Sequence, residues 1–181
     1  MYQLINEIKL SRVLKHFNSQ EYPVGIMTAF RGENTLKQNE AANSALASSF
    51  RKLGFGFVWI DGAWIENRGT KSEEHVSEVS ILVIGSEGDD KKMFSSLVEG
   101  SKKYNQDAFV YKGSGKKIGI YDKNGSELVS FDRVAIDKIA DNYSKLRSSN
   151  KGRTFVFEDV RDASGYGYSL KKYAESKKQV G

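Results

Sequence analysis

Apolar positions along the first two thirds of the chain switch between two rhythms, and the switches mark its elements. Val24 to Phe30 is nearly continuous apolar sequence, as a buried strand requires. Leu36, Asn39, Asn43, Leu46, Phe50 and Leu53 then fall at steps of three and four, which places them on one helix face. Asn34 or Thr35 suits the N-cap of that helix and Gly54 its C-terminal cap. Phe55 to Ile60 reads as an aromatic strand, with Asp61-Gly62 as a turn into a short partner, Ala63 to Glu66. Polar, glycine-containing sequence from Asn67 to Glu74 predicts a loop. Val76 to Ile84 is the most apolar run and is expected at the sheet centre.

The rest continues in the same alternation. Acidic residues before Lys91 suit a helix N-terminus, and Met93, Phe94, Leu97 and Val98 form the buried face of a helix reaching Tyr104. Ala108 to Tyr111 predicts a strand. Ile118–Asp122 and Glu127–Phe131 flank Asn124-Gly125, a strong hairpin signal. Val134, Ile136, Ile139, Ala140, Tyr143 and Leu146 predict a further helix, and Arg153 to Val160 an edge strand. Upstream, Leu4, Ile5, Ile8, Val13, Leu14 and Phe17 predict an N-terminal helix.

The order from Val24 to Tyr111 is strand, helix, strand, strand, helix, strand. That order defines an α+β fold with a ferredoxin-like β-α-β-β-α-β core, extended by a β-hairpin and flanked by N- and C-terminal helices. Residues 1–162 make a single domain. Residues 163–181 are rich in Gly, Ser and Lys, with too little apolar surface to offset ordering, and read as a basic surface tail.

Composition narrows the chemistry. With 39% hydrophobic and 12% aromatic residues the chain suits a soluble globular protein, and no run approaches the roughly 20 apolar residues of a membrane span. The first residues lack a signal-peptide cleavage pattern, so a cytoplasmic setting is expected. No cysteine is present, which excludes disulfides, thiol nucleophiles and zinc–thiolate sites. His16 and His75 are the only histidines and neither has a ligand partner at metal spacing, so no metal and no cofactor are expected. A net charge of +5 permits weak nucleic-acid binding without requiring it.

Three motifs tempt. Leu53 to Ile60 is similar to the aromatic strand of the RNA-recognition motif, but its first and last residues differ and it sits one strand too early. Phe55, Phe57 and Trp59 share one face, which suits base stacking if open and a core if closed. Lys112-Gly113-Ser114-Gly115-Lys116-Lys117 hints at a phosphate loop. Val110 stands where that motif needs glycine and Lys117 where it needs Ser or Thr, so a hairpin turn is expected.

Polar residues inside apolar patterns supply the candidate site. Asn39 and Asn43 lie one turn apart on the buried stripe, where they can grip a carboxylate, a ligand or a backbone loop. Glu78 and Ser80 enter the central strand, and a carboxylate there is paired or shifted in pKa unless it stays near solvent. Arg31 stands at the end of the first strand and Gln106 at the start of another. Asn39, Asn43, Glu78 and Gln106 are expected to converge, with Arg31 at the mouth.

Thr28-Ala29-Phe30, Asn39 and Asn43 with Leu46, Gly62, Glu78-Val79-Ser80 and Gln106-Asp107-Ala108-Phe109 together resemble a small uncharacterised bacterial family, a domain of unknown function with phage-encoded relatives. The likeness spans about residues 24–121. It breaks after Phe30, where Asn-Pro is expected and Arg31-Gly32 stands. The resemblance implies no activity. Two functions follow: a non-catalytic binding or assembly module, with a protein partner or self-association and a phage-associated setting, or an enzyme or small-ligand site at Arg31, Asn39, Asn43, Glu78, Ser80 and Gln106. Single-stranded RNA binding through the aromatic strand is a third.

Overall fold

A computed structural model describes residues 15–66, 74–136, 143–146 and 154–158. Residues 15–18 are helical, where the end of the first helix is expected; its upstream positions, residues 67–73 of the loop expected over 67–74, and the tail expected over 163–181 lie outside the described residues. The protein is α+β. Among the described residues nine strands form one sheet in which every neighbouring pair is antiparallel.

In chain order the core elements are β1 (Val24–Met27), α1 (Leu36–Lys52), β2 (Gly56–Glu66), β3 (Glu74–Ile84), α2 (Asp90–Lys103) and β4 (Ala108–Lys112). In the sheet these four strands stand in the order β4-β1-β3-β2. β5 (Ile118–Asp122) and β6 (Glu127–Phe131) follow as a hairpin outside β4. Gly125 at its tip has φ +84°, the left-handed conformation that an Asn-Gly turn supplies cheaply. Beyond β2 lie β8 (Tyr143–Leu146), β9 (Thr154–Glu158) and, at the edge, β7 (Arg133–Ile136).

Alternation along each strand divides the core into two. Met27, Ile81, Val83 and Phe109 face α1 and α2, where they meet Leu46, Phe50, Met93 and Leu97. Val24, Ile26, Val58, Ile60 and Leu82 face the other way and pack with Phe17, Ile118 and Phe131. Helix α2 crosses so close to β1 that a Cβ on Gly25 would stand 2.7 Å from Leu97 Cδ1. That approach explains a glycine inside an otherwise apolar strand.

Four expectations are corrected. Asp61-Gly62 is no turn: β2 runs unbroken through it, with Gly62 opposite Glu78, and the partner strand is β3. Eleven consecutive pairs stabilise the long hairpin more than a two-residue turn would, so a local turn preference gives way to the ladder. Where a C-terminal helix is expected, the described residues are strands, Arg133–Ile136 and Tyr143–Leu146. β8 there pairs with the outer side of β2, whose backbone groups need partners, and long-range pairing overrides a helical spacing. The strand expected over 153–160 is found as β9 but lies inside the sheet, between β8 and β7. On α1, Leu36 is 66% and Leu53 38% exposed, so the apolar stripe closes only between Asn39 and Phe50.

Candidate functional site

Helix α1 starts at a capping box: Thr35 Oγ1 accepts from the Gln38 N–H at 3.3 Å, and Gln38 Oε1 accepts from the Thr35 N–H at 2.8 Å. With its start fixed, Asn39 and Asn43 face the chain leaving β1. Asn39 Oδ1 accepts from the Arg31 N–H at 2.9 Å, and its Nδ2 donates to the Arg31 carbonyl at 3.0 Å. Asn43 Oδ1 accepts from the Ala29 N–H at 2.6 Å, and its Nδ2 donates to the Val79 carbonyl at 2.8 Å. From the far side, Gln106 Nε2 donates to the carbonyls of Phe30, at 2.9 Å, and Tyr104, at 3.2 Å. Thr28 Oγ1 donates to the Val79 carbonyl and accepts from the Phe30 N–H.

Three buried amides therefore close on one backbone segment, Ala29–Arg31. Asn39, Asn43 and Gln106 are 6%, 2% and 7% exposed, so these bonds are what permits their burial. Of the three partners that the one-turn spacing allowed, the backbone loop is the one present. Arg31 stands at the rim, its Nη1 donating to the Asn105 carbonyl at 2.6 Å and its Nε paired with Glu33 at 2.9 Å. Glu33 is held below its ordinary carboxyl range by its own backbone N–H and then by Arg31.

Glu78 and Ser80 do not join the amides. They share the alternation of Leu82, on the sheet face away from the helices, whereas Val79 lies on the helix side. Ser80 is buried opposite Ile60, and Glu78 stands opposite Gly62. Two adjacent strand residues cannot present side chains to one face, so Asn43, which reaches the Val79 carbonyl from the helix side, lies across the sheet from the Glu78 side chain. In the aromatic strand Phe55 is buried, while Phe57 and Trp59 are half-buried and packed on the helix-side core. Arg51 lies over the Phe57 ring at 5.1 Å.

A second polar cluster joins the N-terminus of α2 to the β4–β5 hairpin. Asp90 Oδ1 accepts from the Ser114 N–H at 2.6 Å and the Tyr111 hydroxyl at 3.3 Å, while Oδ2 accepts from Ser114 Oγ at 2.7 Å. Lys112 is 2% exposed, and its Nζ donates to the Ser19 and Tyr22 carbonyls. Burial pulls the Lys112 ammonium below its ordinary pKa, partly opposed by Asp90. Burial pushes the Tyr111 hydroxyl well up, and that of Tyr121 up to about 12. The signal for Lys112 and Ser114 lay in the Lys-Gly-Ser-Gly motif, whose amide and hydroxyl are here turned onto Asp90 and not onto a phosphate. Asp90 itself had no signal beyond an acidic residue at a helix start.

Asp90 yields a pH prediction. Burial raises its pKa, but the bonds from Ser114 and Tyr111 outweigh this and hold it below the ordinary 3.8. A carboxyl lowered in the folded state contributes stability that is complete above its unfolded pKa and is lost as pH falls through the folded one. Stability of the natural chain should therefore fall more steeply with acid below pH 3.8 than that of Asp90→Asn. Urea midpoints along an acid series measure this, and parallel curves would remove Asp90 from the acid response.

Among the described residues no three His, Cys, Asp or Glu side chains group as a metal ion requires. No described helix is long and apolar enough to cross a membrane. No family model and no curated protein matches the chain. Among solved structures it is similar to a phage SAM lyase in complex with S-methyl-5'-thioadenosine, with a TM-score of 0.33 and 13% identity over 64% of this chain and 90% of that one.

Proposed function

We propose that this protein is a non-catalytic binding or assembly module on a ferredoxin-like core. The strand order β4-β1-β3-β2, with a helix after β1 and another after β3, supports that core. One observation carries the functional reading. The amides that single out a candidate site, Asn39, Asn43 and Gln106, are bonded to the protein's own backbone and hold the β1–α1 connection. Side chains engaged in this way stabilise a surface and have little left to offer a substrate. The partner is a macromolecule or a second copy. A phage-associated setting belongs to this reading through the family resemblance alone.

A thermal-shift screen against nucleotides, amino acids and sugar phosphates tests it. No compound is expected to raise the melting temperature. A compound that stabilised the natural chain and lost its effect in Arg31→Ala would establish the ligand-site alternative, because Arg31 is the cation at the rim of the cluster.

A further inference from the structure

The outward faces of α1 and α2 gather positive charge at two ends. Arg51 and Lys52 close α1 where Lys91 and Lys92 open α2, and all four are exposed. They share one end of the layer: Arg51 lies 5.1 Å over Phe57 and Lys92 5.0 Å over Phe55, two residues apart in the chain. At the other end, Lys37 starts α1 beside Lys102 and Lys103, which finish α2. The Gln106–Phe30 and Arg31–Asn105 bonds hold those helix ends together. Against these seven cations the two helices expose only Glu40 and Glu99. Even with the half-buried Asp90 counted, the two helices carry seven cations against three acids.

Helix stability does not account for this placement. Cations in the last turn suit the helix dipole, but Lys91 and Lys92 stand in the first turn of α2, where the dipole repels them. Asp89 offsets Lys92 alone, at 3.4 Å. Between the two ends the surface is made of small exposed residues, Ala41, Ser44, Ala45, Ser48 and Ser95, which hold nothing away from the helices. The charged ends stand about 20–25 Å apart by helix rise.

From this we propose that the helix layer docks on the phosphate backbone of double-stranded nucleic acid, without sequence preference. The inference rests on the binding-module reading and deepens it by naming the partner class. A duplex is favoured over a single strand by the rings. Single strands are held by stacking on open aromatics, yet Phe55 is buried and Phe57 lies under Arg51. Among the residues of the helix layer and its loops, the exposed large apolar side chains are Leu36 and Leu53, neither of them aromatic. A duplex instead offers dense charge, one per roughly 1.7 Å of axis, to a surface whose asset is charge.

The test is fluorescence anisotropy with the full chain and a labelled mixed-sequence duplex of about 20 base pairs at low salt, long enough to span the layer. Binding should weaken with salt, and Lys102→Gln/Lys103→Gln should weaken it on the order of tenfold and flatten the logarithmic salt slope by about one to two. Lys15→Gln/Lys116→Gln removes the same charge elsewhere and should leave binding near the natural value. No duplex binding at low salt, an equal loss in both double variants, or tighter binding of the matching single strand would each overturn the proposal. So would abolition of binding by deleting 163–181 while the helix variant still binds. Those failures leave the module reading standing, since a protein partner or second copy would remain.

Discussion

Asn43→Ala should lower the unfolding free energy by about 2–4 kcal/mol, a large effect for one small polar side chain. Its amide supplies two bonds inside the core, to the Ala29 N–H and the Val79 carbonyl. The losses are unequal. Val79 keeps the Thr28 hydroxyl at 2.8 Å, but the Ala29 N–H loses its acceptor, Asn43 Oδ1, in a site from which water is excluded. An unsatisfied buried donor costs more than the bond itself was worth. Urea unfolding with an unchanged slope and a lowered midpoint would show this as a loss of stability and not of compactness. A loss below about 0.5 kcal/mol, the ordinary surface range, would mean that the loop is held without Asn43.

Phe50→Ala should cost about 3–5 kcal/mol, because a ring 1% exposed leaves a cavity that its neighbours cannot fill. Phe50 sits between α1 and the sheet, with its ring centroid 6.5 Å from that of Phe55. Leu36→Ala, on the same nominal stripe, should change stability by no more than about 0.5 kcal/mol, since that side chain is 66% exposed. Equal effects would mean that the stripe is buried along its whole length. Thermal or chemical denaturation of the two variants side by side gives the comparison.

These two residues also show how far the pattern of the chain could be read. Phe50 and Leu36 belong to one helical spacing, and spacing alone does not reveal where the sheet beneath stops. Helices α1 and α2 and the strands at Val24, Val76, Ala108, Ile118 and Glu127 were legible because each carries its period and its turn residues locally. Asp61-Gly62 misled because a turn dipeptide was judged without the eleven-pair ladder that contains it. The strands at Arg133–Ile136 and Tyr143–Leu146 misled for the same reason: they pair with β9 downstream and, for β8, with β2 far upstream, partners that a local spacing does not show.

The candidate site was legible in part for a related reason. Asn39, Asn43 and Gln106 were conspicuous as amides in apolar surroundings, and they do meet on one segment. Glu78 was placed with them because strand alternation was known but not which alternate faced α1. The Val79 carbonyl, a backbone atom without any sequence signature, occupies the place given to that carboxylate. Lys112 shows the opposite failure. The sequence placed it in a hairpin turn, and the Ser19–Tyr22 segment that buries it lies some ninety positions away in the chain.

The position of β1 has a consequence for synthesis. β1 is bordered by β3 on one side and β4 on the other, so neither neighbour exists when Val24–Met27 leaves the ribosome. At roughly 5–20 residues per second, the roughly 80 residues still to come before β4 is complete take about 4–16 s. Until β3 is complete this short apolar strand has two bare edges, and until β4 is complete one, while β2 and β3, adjacent in the chain, can zip together. The newborn protein must then admit β1 beside a finished hairpin, which makes that insertion the step at which a nascent chain would be captured by chaperones or lost to aggregation.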